Sequence, residues 1–323
     1  MNVIEVKNLN KQFKSKVKEE GFKGSMKAMF KPEYKIKDAV SDISFNVEAG
    51  EMLAFIGPNG AGKSTTIKML TGILFPTSGD INVLGLNPQK DRKELAYRIG
   101  MVNGQKSQLW MHLPAIDSYK LFASIYDIED KEADKRITEL SEVLNLGDII
   151  NQPVRTLSLG QRMRCEIAAS LIHKPEIIFF DEPTIGLDPV VKQEIRKFVK
   201  ELNREFNTTV FFTSHDIGDI EKLCKRVIIV NNGQIVLNDS LKNLKYNYLN
   251  KKVIDIKFDE EVCLDNVCGI EIIKKKGFDI KMEVNTREQS IKNILECLPL
   301  EKIVDINISD IPLEEVIAEI YGK

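Results

Sequence analysis

"AFIGPNGAGKSTTIKML", residues 54–70, runs from an apolar stretch straight into eight residues that no hydrophobic core would select. Gly57, Pro58, Asn59, Gly60, Ala61, Gly62, Lys63 and Ser64 spell G-x-x-x-x-G-K-[ST], and the residues from Thr65 onward have helical periodicity. Glycines allow successive backbone N–H groups to turn inward as an anion nest, and the start of the helix adds the positive end of its dipole. The Lys63 ammonium suits the β- and γ-phosphates of a triphosphate. The Ser64 hydroxyl is a hard oxygen ligand suited to Mg²⁺. With a strand before it and a helix after it, the segment predicts a nucleoside triphosphate cradle in an α/β layer.

Further along, "PEIIFFDEPT" (175–184) sets a fully apolar strand against two adjacent acids. In open parallel sheets, ligand-binding groups gather at the carboxyl ends of strands. Asp181 is therefore expected to hold Mg²⁺ beside Ser64. Glu182, pointing elsewhere, is expected to polarise a water for attack on the γ-phosphate. Two acids are needed because a carboxylate bound to Mg²⁺ is a poor base. Pro183 is expected to end the strand, since it cannot donate to the ladder.

The 323 residues are enough for two domains, and 43% hydrophobic with 29% charged residues is ordinary for a soluble globular protein. No apolar run reaches the roughly 18 residues needed to span a bilayer. The first residues, MNVIEVKNLNK, lack the features of a secretory signal, so a cytoplasmic chain is expected. The formal net charge of −2 points neither to nor away from nucleic acid. Locally, nine lysines face three glutamates between Lys11 and Lys37. Five scattered cysteines, an odd number without C-x-x-C spacing, fit reduced thiols better than a disulfide framework.

One longer segment, "LSLGQRMRCEIAASLIHKPEIIFFDEPTIGLDP" (157–189), resembles the signature-to-D-loop stretch of ATP-binding cassette (ABC) ATPases. The resemblance covers about residues 1–240 and is strongest to subunits of drug- and polysaccharide-exporter-like transporters. It implies an α/β P-loop NTPase with an ABC-type helical subdomain at about 105–170, ATP and Mg²⁺ as cofactors, and a dimer with ATP sandwiched between protomers. Ser158, Gly160 and Gln161 match the signature that contacts the nucleotide held by the other protomer, with Leu159 standing where the common form has glycine. Asp188 in "GLDP" matches the D-loop acid, and His215 after "TVFFTS" matches the switch histidine that senses the γ-phosphate. Gln105 in "IGMVNGQKSQL" resembles the Q-loop glutamine, a metal-contacting and partner-sensing residue; Gln108 is its rival. Phe13 in "NKQF" occupies the position of the adenine-stacking aromatic, with Tyr34 as the alternative.

That resemblance implies an ATP-hydrolysing subunit that powers a separate membrane permease, for export. Its partners would be the permease and a second copy or a paralogous ATPase, with no nucleic acid, on the inner face of the cell membrane. "SQLWMHLPAIDSYKLF" (107–122), with Trp110, Met111 and Leu113, would form the groove that receives the permease. The alternative is a soluble cassette ATPase acting on ribosomes or DNA. A single cassette, with 92 residues between Ser64 and Leu157, leaves no room for the long coil of the DNA-repair members.

Two regions fall outside the cassette motifs. The basic insertion at about 15–37 contains "GFKGSMKAMF" (21–30), with Phe22, Met26, Met29 and Phe30 on one helical face. From about 250 to 323 a small α+β domain is expected, regulatory or dimer-contacting: "VIDIKFD", "GFDIKMEV" and "IVDINIS" alternate as strands, "KKKG" reads as a turn, and "SIKNILECL" and "LEEVIAEIY" have helical spacing.

Overall fold

A computed structural model describes residues 1–16, 34–104, 106–214, 216–248, 251–262, 270–286, 288 and 290–322. Gln105, His215 and the helical face at 22–30 lie outside the described residues. The chain divides into two compact units, Met1–Asn238 and Asp239–Lys323.

The first unit opens with β1 (Asn2–Lys16) and β2 (Tyr34–Glu48), followed by β3 (Met52–Ile56), α1 (Lys63–Leu70), β4 (Ser78–Val83), α2 (Arg92–Ala96) and β5 (Ile99–Asn103). Helices α3 (Ala115–Ile125), α4 (Asp130–Val143) and α5 (Leu159–Leu171) come next. Then strand and helix alternate: β6 (Ile177–Asp181), α6 (Pro189–Phe206), β7 (Thr209–Thr213), α7 (Ile217–Leu223), β8 (Arg226–Asn231) and β9 (Gln234–Ser240).

Six strands form one sheet in the order β5-β6-β7-β3-β8-β9, and the pairs from β5 to β8 are parallel. Asn232 and Gly233, both at positive φ (48° and 80°), make the two-residue turn that brings β9 back beside β8. A second, antiparallel sheet, β2-β1-β4, contributes Phe45, Val47 and Ile4 to a core shared with Phe55, Phe179 and Phe211. The two Phe-Phe pairs of the sequence now have a reason. Alternate residues of a strand face opposite sides, so Phe179 and Phe211 (5.6 Å apart) join Phe45 and Phe55, while Phe180 and Phe212 (5.9 Å) pack on the other face. All four are fully buried, which is why the strands read as unbroken apolar runs. Each contributes about 1.5–3 kcal/mol of burial.

The hairpin β1–β2 corrects the extent expected for the basic insertion. Lys16 pairs with Tyr34, Ser15 with Lys35 and Lys14 with Ile36, so residues 15–16 and 34–37 are arms of the sheet. Alternation had been masked there by exposed lysines on both strands.

The second unit contains α8 (Leu241–Tyr248), β10 (Lys251–Phe258), β11 (Ile270–Lys276), β12 (Asp279–Asn285), α9 (Ile291–Glu296), β13 (Ile303–Asp310) and α10 (Leu313–Gly322). Its sheet is antiparallel throughout, in the order β11-β12-β10-β13. Ile254, Ile256, Phe258, Ile280, Met282 and Val284 pack under Ile294 and Leu298. The lysines 274–276, expected in a turn, instead end the edge strand β11, where charge protects an open edge; the turn is at Gly277 (φ 59°) and Phe278.

Candidate functional site

Strand β3 delivers the loop 57–62 at its carboxyl end. Gly62 adopts φ 104°, and a Cβ there would lie 2.5 Å from the carbonyl oxygen of Ala39. No side chain can be tolerated, and Gly62 caps α1 without a side-chain hydrogen bond. The backbone N–H groups that open α1 thus face outward as an anion site, with the helix dipole behind them.

Lys63 is buried, and its Nζ donates to the carbonyls of Gly57 (2.6 Å) and Pro58 (3.2 Å), with Glu182 Oε1 at 3.8 Å. Burial pulls the ammonium pKa down, while Glu182 and Asp181 pull it back up. The lysine is therefore a desolvated cation aimed at acidic neighbours, a group that gains from a phosphate at its tip.

The strand order places the ends of β6, β7 and β3 side by side. Ser64 Oγ donates to Asp181 Oδ1 at 3.1 Å, and Thr213 Oγ1, from the end of β7, donates to the same oxygen at 2.9 Å. Asp181 is thereby fixed in orientation by two hydroxyls. Strand β6 stops at Asp181, two residues before Pro183, because Glu182 turns into the left-handed region at φ 53°. Its N–H donates to Thr213 O and Oγ1, both at 3.2 Å. A glutamate held left-handed before a proline costs about 1–3 kcal/mol, strain of the kind that collects at functional sites.

Gly62, Lys63, Ser64, Asp181 and Glu182 border a cavity of about 410 Å³ that also takes in Phe13, Lys37, Asn59, Gly60, Ala61, Thr65, Lys68, Asn103 and Lys106, within the size range of small-molecule sites. Phe13 lies on its wall, with Lys11 Nζ 5.2 Å from the ring centroid, while Tyr34 is not among the lining residues. Gln108 is committed elsewhere: its Nε2 donates to Met101 O and Glu166 O.

Six other expected residues do not line this cavity: Gly57 and Pro58, whose carbonyls accept from Lys63, and Ser158, Gly160, Gln161 and Asp188. Ser158 caps α5, its hydroxyl oxygen accepting from Gln161 N (3.2 Å), while the Gln161 side chain accepts from Ser158 N (2.9 Å). The serine hydrogen remains available to donate. Gly160 is a glycine because a Cβ would meet Val191 of α6 at 2.7 Å, whereas Leu159 is 37% exposed beside it. Asp188 caps α6 by accepting from Val190 N (3.0 Å) and Val191 N (3.1 Å).

Sequence reading missed several neighbours. Thr213 reads as ordinary strand filler, and Lys37, Lys68, Asn103 and Lys106 lie within stretches already named but were given no role at the site. A positive balance near a phosphate loop is the only signal that could have raised the lysines. Behind the site, buried Asp219 accepts from Thr184 Oγ1 (2.5 Å), with Arg196 Nε 3.1 Å from its other oxygen as an ion pair lacking hydrogen-bond alignment. Burial raises the Asp219 pKa; the Thr184 hydroxyl opposes that rise most strongly. This network ties the turn after Glu182 to α6 and α7.

The ABC transporter family profile matches residues 40–185. The ABC transporter ATP-binding protein NatA of Bacillus subtilis is 35% identical over 215 residues, covering 67% of this chain and 87% of NatA. The linearmycin resistance ATP-binding protein LnrL of the same species is 38% identical over 206 residues, 64% of this chain and 66% of its own. Among solved structures, a dimeric ATP-binding cassette in a post-hydrolysis state with ADP and Pi superposes with a TM-score of 0.61 at 27% identity, covering 74% of this chain and 98% of that one. Likeness of this extent reaches far beyond the phosphate loop that many nucleotide-binding folds share, and the chain belongs to the ABC transporter family as one of its ATP-binding ATPase subunits.

Proposed function

We propose that two copies of this chain, or one copy and a paralogue, close on two molecules of ATP·Mg²⁺ and that hydrolysis drives a separate membrane permease in the export direction. One observation carries the chemistry: Lys63, Ser64, Asp181 and Glu182 converge on one cavity from beyond the ends of β3 and β6, the two strands that flank β7, with Ser64 and Asp181 only 3.1 Å apart. Two hard oxygens, one held by Thr213, suit Mg²⁺. When bound, the cation neutralises charge across the β- and γ-phosphates. Lys63 and the N–H groups of residues 60–65 orient the triphosphate, and the Phe13 ring stacks on the base. Glu182, turned away from Asp181 by its left-handed backbone, takes the proton of the attacking water. Gln105 and His215 are assigned to sensing the γ-phosphate on the family resemblance.

The sandwich is supported by what the cavity lacks. Ser158, Gly160, Gln161 and Asp188 do not line the cavity of their own chain, and the Ser158 hydrogen is available to an anion from another. The dimeric neighbour with ADP and Pi supports the same arrangement. Among the described residues no helix is long and apolar enough to cross a membrane, so in this reading the pathway belongs to a partner. Trp110 (50% exposed) and Leu113 (41%) are offered as its docking point. The export direction rests on relatives such as the linearmycin resistance protein.

The test is Glu182→Gln. Turnover is expected to fall by about 10²–10⁴ while ATP binding persists, and light scattering with ATP and Mg²⁺ should show two copies per particle. A variant that stays monomeric at saturating nucleotide rules the sandwich out.

A further inference from the structure

Glu166 lies in α5, two turns beyond Ser158, and is only 3% exposed. Its carboxylate accepts from the Ser107 hydroxyl through Oε1 and from the Gln108 N–H through Oε2 (3.2 Å). The Gln108 side chain donates back to the backbone oxygen of Glu166 at 3.3 Å. No lysine or arginine of the described residues forms an ion pair with it. A buried carboxylate whose hydrogen-bond donors are all neutral, with Arg162 acting on it only through space, is a costly choice in a helix whose neighbouring positions, Cys165 and Ile167, are plain core. Burial accordingly pushes its pKa upward against the Ser107 and Gln108 hydrogen bonds.

The segment it grips reaches the nucleotide site on its other side. Asn103 is paired in register with Asp181, and Gly104 N donates to Asp181 O at 3.0 Å. Gly104 packs so closely that a Cβ would lie 2.0 Å from the carbonyl oxygen of Glu182. Lys106, adjacent to Ser107, lines the cavity with Asn103. The span between β5 and residue 109 is thus anchored at two points: one on the strand end bearing Asp181 and Glu182, the other on the helix whose tip carries Ser158 and Gln161. Gln105 falls between those anchors in sequence.

We propose that Glu166 is a positioning residue, whose carboxylate clamps residues 107–108 to α5 and so holds Asn103, Gly104 and Lys106 in register with the hydrolytic strand end. The clamp makes the loop and the signature helix move as one body, which would pass a displacement at either to the γ-phosphate end of the cavity. This rests on the reading that Glu182 drives hydrolysis, and the experiment separates the two.

Steady-state ATPase activity of the full chain is measured for Glu166→Ala, Glu166→Gln and Ser107→Ala, with thermal midpoints alongside. Misplacing a positioning element is expected to lower kcat about tenfold in Glu166→Ala, with KM for ATP changed by less than about twofold. Glu166→Gln keeps the clamp, since its amide can donate to Ser107 Oγ and accept from Gln108 N–H, and kcat should stay within about twofold of the parent. Ser107→Ala removes one arm from an exposed position and should lose about threefold. If Glu166→Ala fails to fold, Ser107→Ala and Glu166→Gln decide the matter. Unchanged kcat in Ser107→Ala, or a Gln variant as impaired as the Ala variant, overturns the clamp. Turnover that survives Glu182→Gln overturns the catalytic reading instead.

Discussion

The six-stranded sheet of the first unit and the four-stranded sheet of the second are both rich in isoleucine but arrange their strand ends differently. In the first unit β3, β6 and β7 run parallel, so their carboxyl ends lie along one edge and present the phosphate loop, Asp181 and Thr213 together. In the second, β10 is antiparallel to both neighbours, so adjacent strand ends point in opposite directions. Its charged side chains pair across the sheet and with α10, as Lys251 does with Glu283 and Lys281 with Glu315. A parallel sheet needs long crossovers, and in return it collects several chain turns at one place. The difference locates the chemistry in the first unit.

Core truncations in the two units should therefore have different consequences. Phe211 is fully buried in β7, two residues before Thr213, and touches the rings of Phe45, Phe55 and Phe179. Phe211→Ala should cost about 3–5 kcal/mol in denaturant unfolding. It should also lower turnover of the folded fraction, because β7 positions the hydroxyl that holds Asp181. Normal turnover in a destabilised variant would show that the strand end is positioned independently of its core.

Met282, fully buried in β12, is the counterpart. Met282→Ala should cost about 2–5 kcal/mol in the second unit and leave turnover of the folded protein unchanged. A fall in kcat would mean that the second unit contributes to the site, and the contrast drawn above would fail.

Legibility in the sequence follows the same division. The cradle was readable because close backbone approach at Gly57 and Gly62 excludes other residues, and Asp181 because an acid after a buried strand is expensive without a ligand. Glu166 was not readable: its partners Ser107 and Gln108 lie 58 or more positions away, and on a helix it looks like one more surface acid. The KKK of β11 was misread because lysines on an edge strand and lysines in a turn are the same letters; only pairing with Lys281, Ile280 and Asp279 distinguishes them. In the second unit the strands β10 and β12 were readable from alternation that matches one covered and one wet face, and β13 from alternation alone, its Ile306 and Ile308 being exposed.

Asp188 tests whether a family-motif acid has work beyond its local geometry. As an N-cap accepting from Val190 and Val191, its removal in Asp188→Ala should cost about 0.5–2 kcal/mol of stability. Asp188→Ser keeps a capping oxygen and should restore most of that. If the serine variant is stable yet turns over slowly, the carboxylate acts at the partner protomer's site; if it turns over normally, the residue is a cap alone.

The smallest effect concerns the seam between the sheet and the helices α3–α5, where pH rather than truncation is the probe. His173 follows α5, stacks on Tyr126 at 3.9 Å between centroids, and uses Nε2 against Ile99 O at 2.8 Å. A carbonyl only accepts, so Nε2 carries the hydrogen, and Nδ1 is buried without a partner. Burial lowers the imidazole pKa from its ordinary 6.5, against a weaker upward pull from the Ile99 bond. The unfolded chain then binds a proton that the folded one resists. Stability from this group is complete above pH 6.5 and is lost as pH falls through the lowered folded value. His173→Phe keeps the stack and removes the titration. Its melting temperature should start slightly lower at neutral pH, for want of the Ile99 hydrogen bond, and then decline less steeply than the parent's as the solution is acidified. Parallel acid limbs for the two proteins would mean that His173 is protonated in the folded seam without penalty.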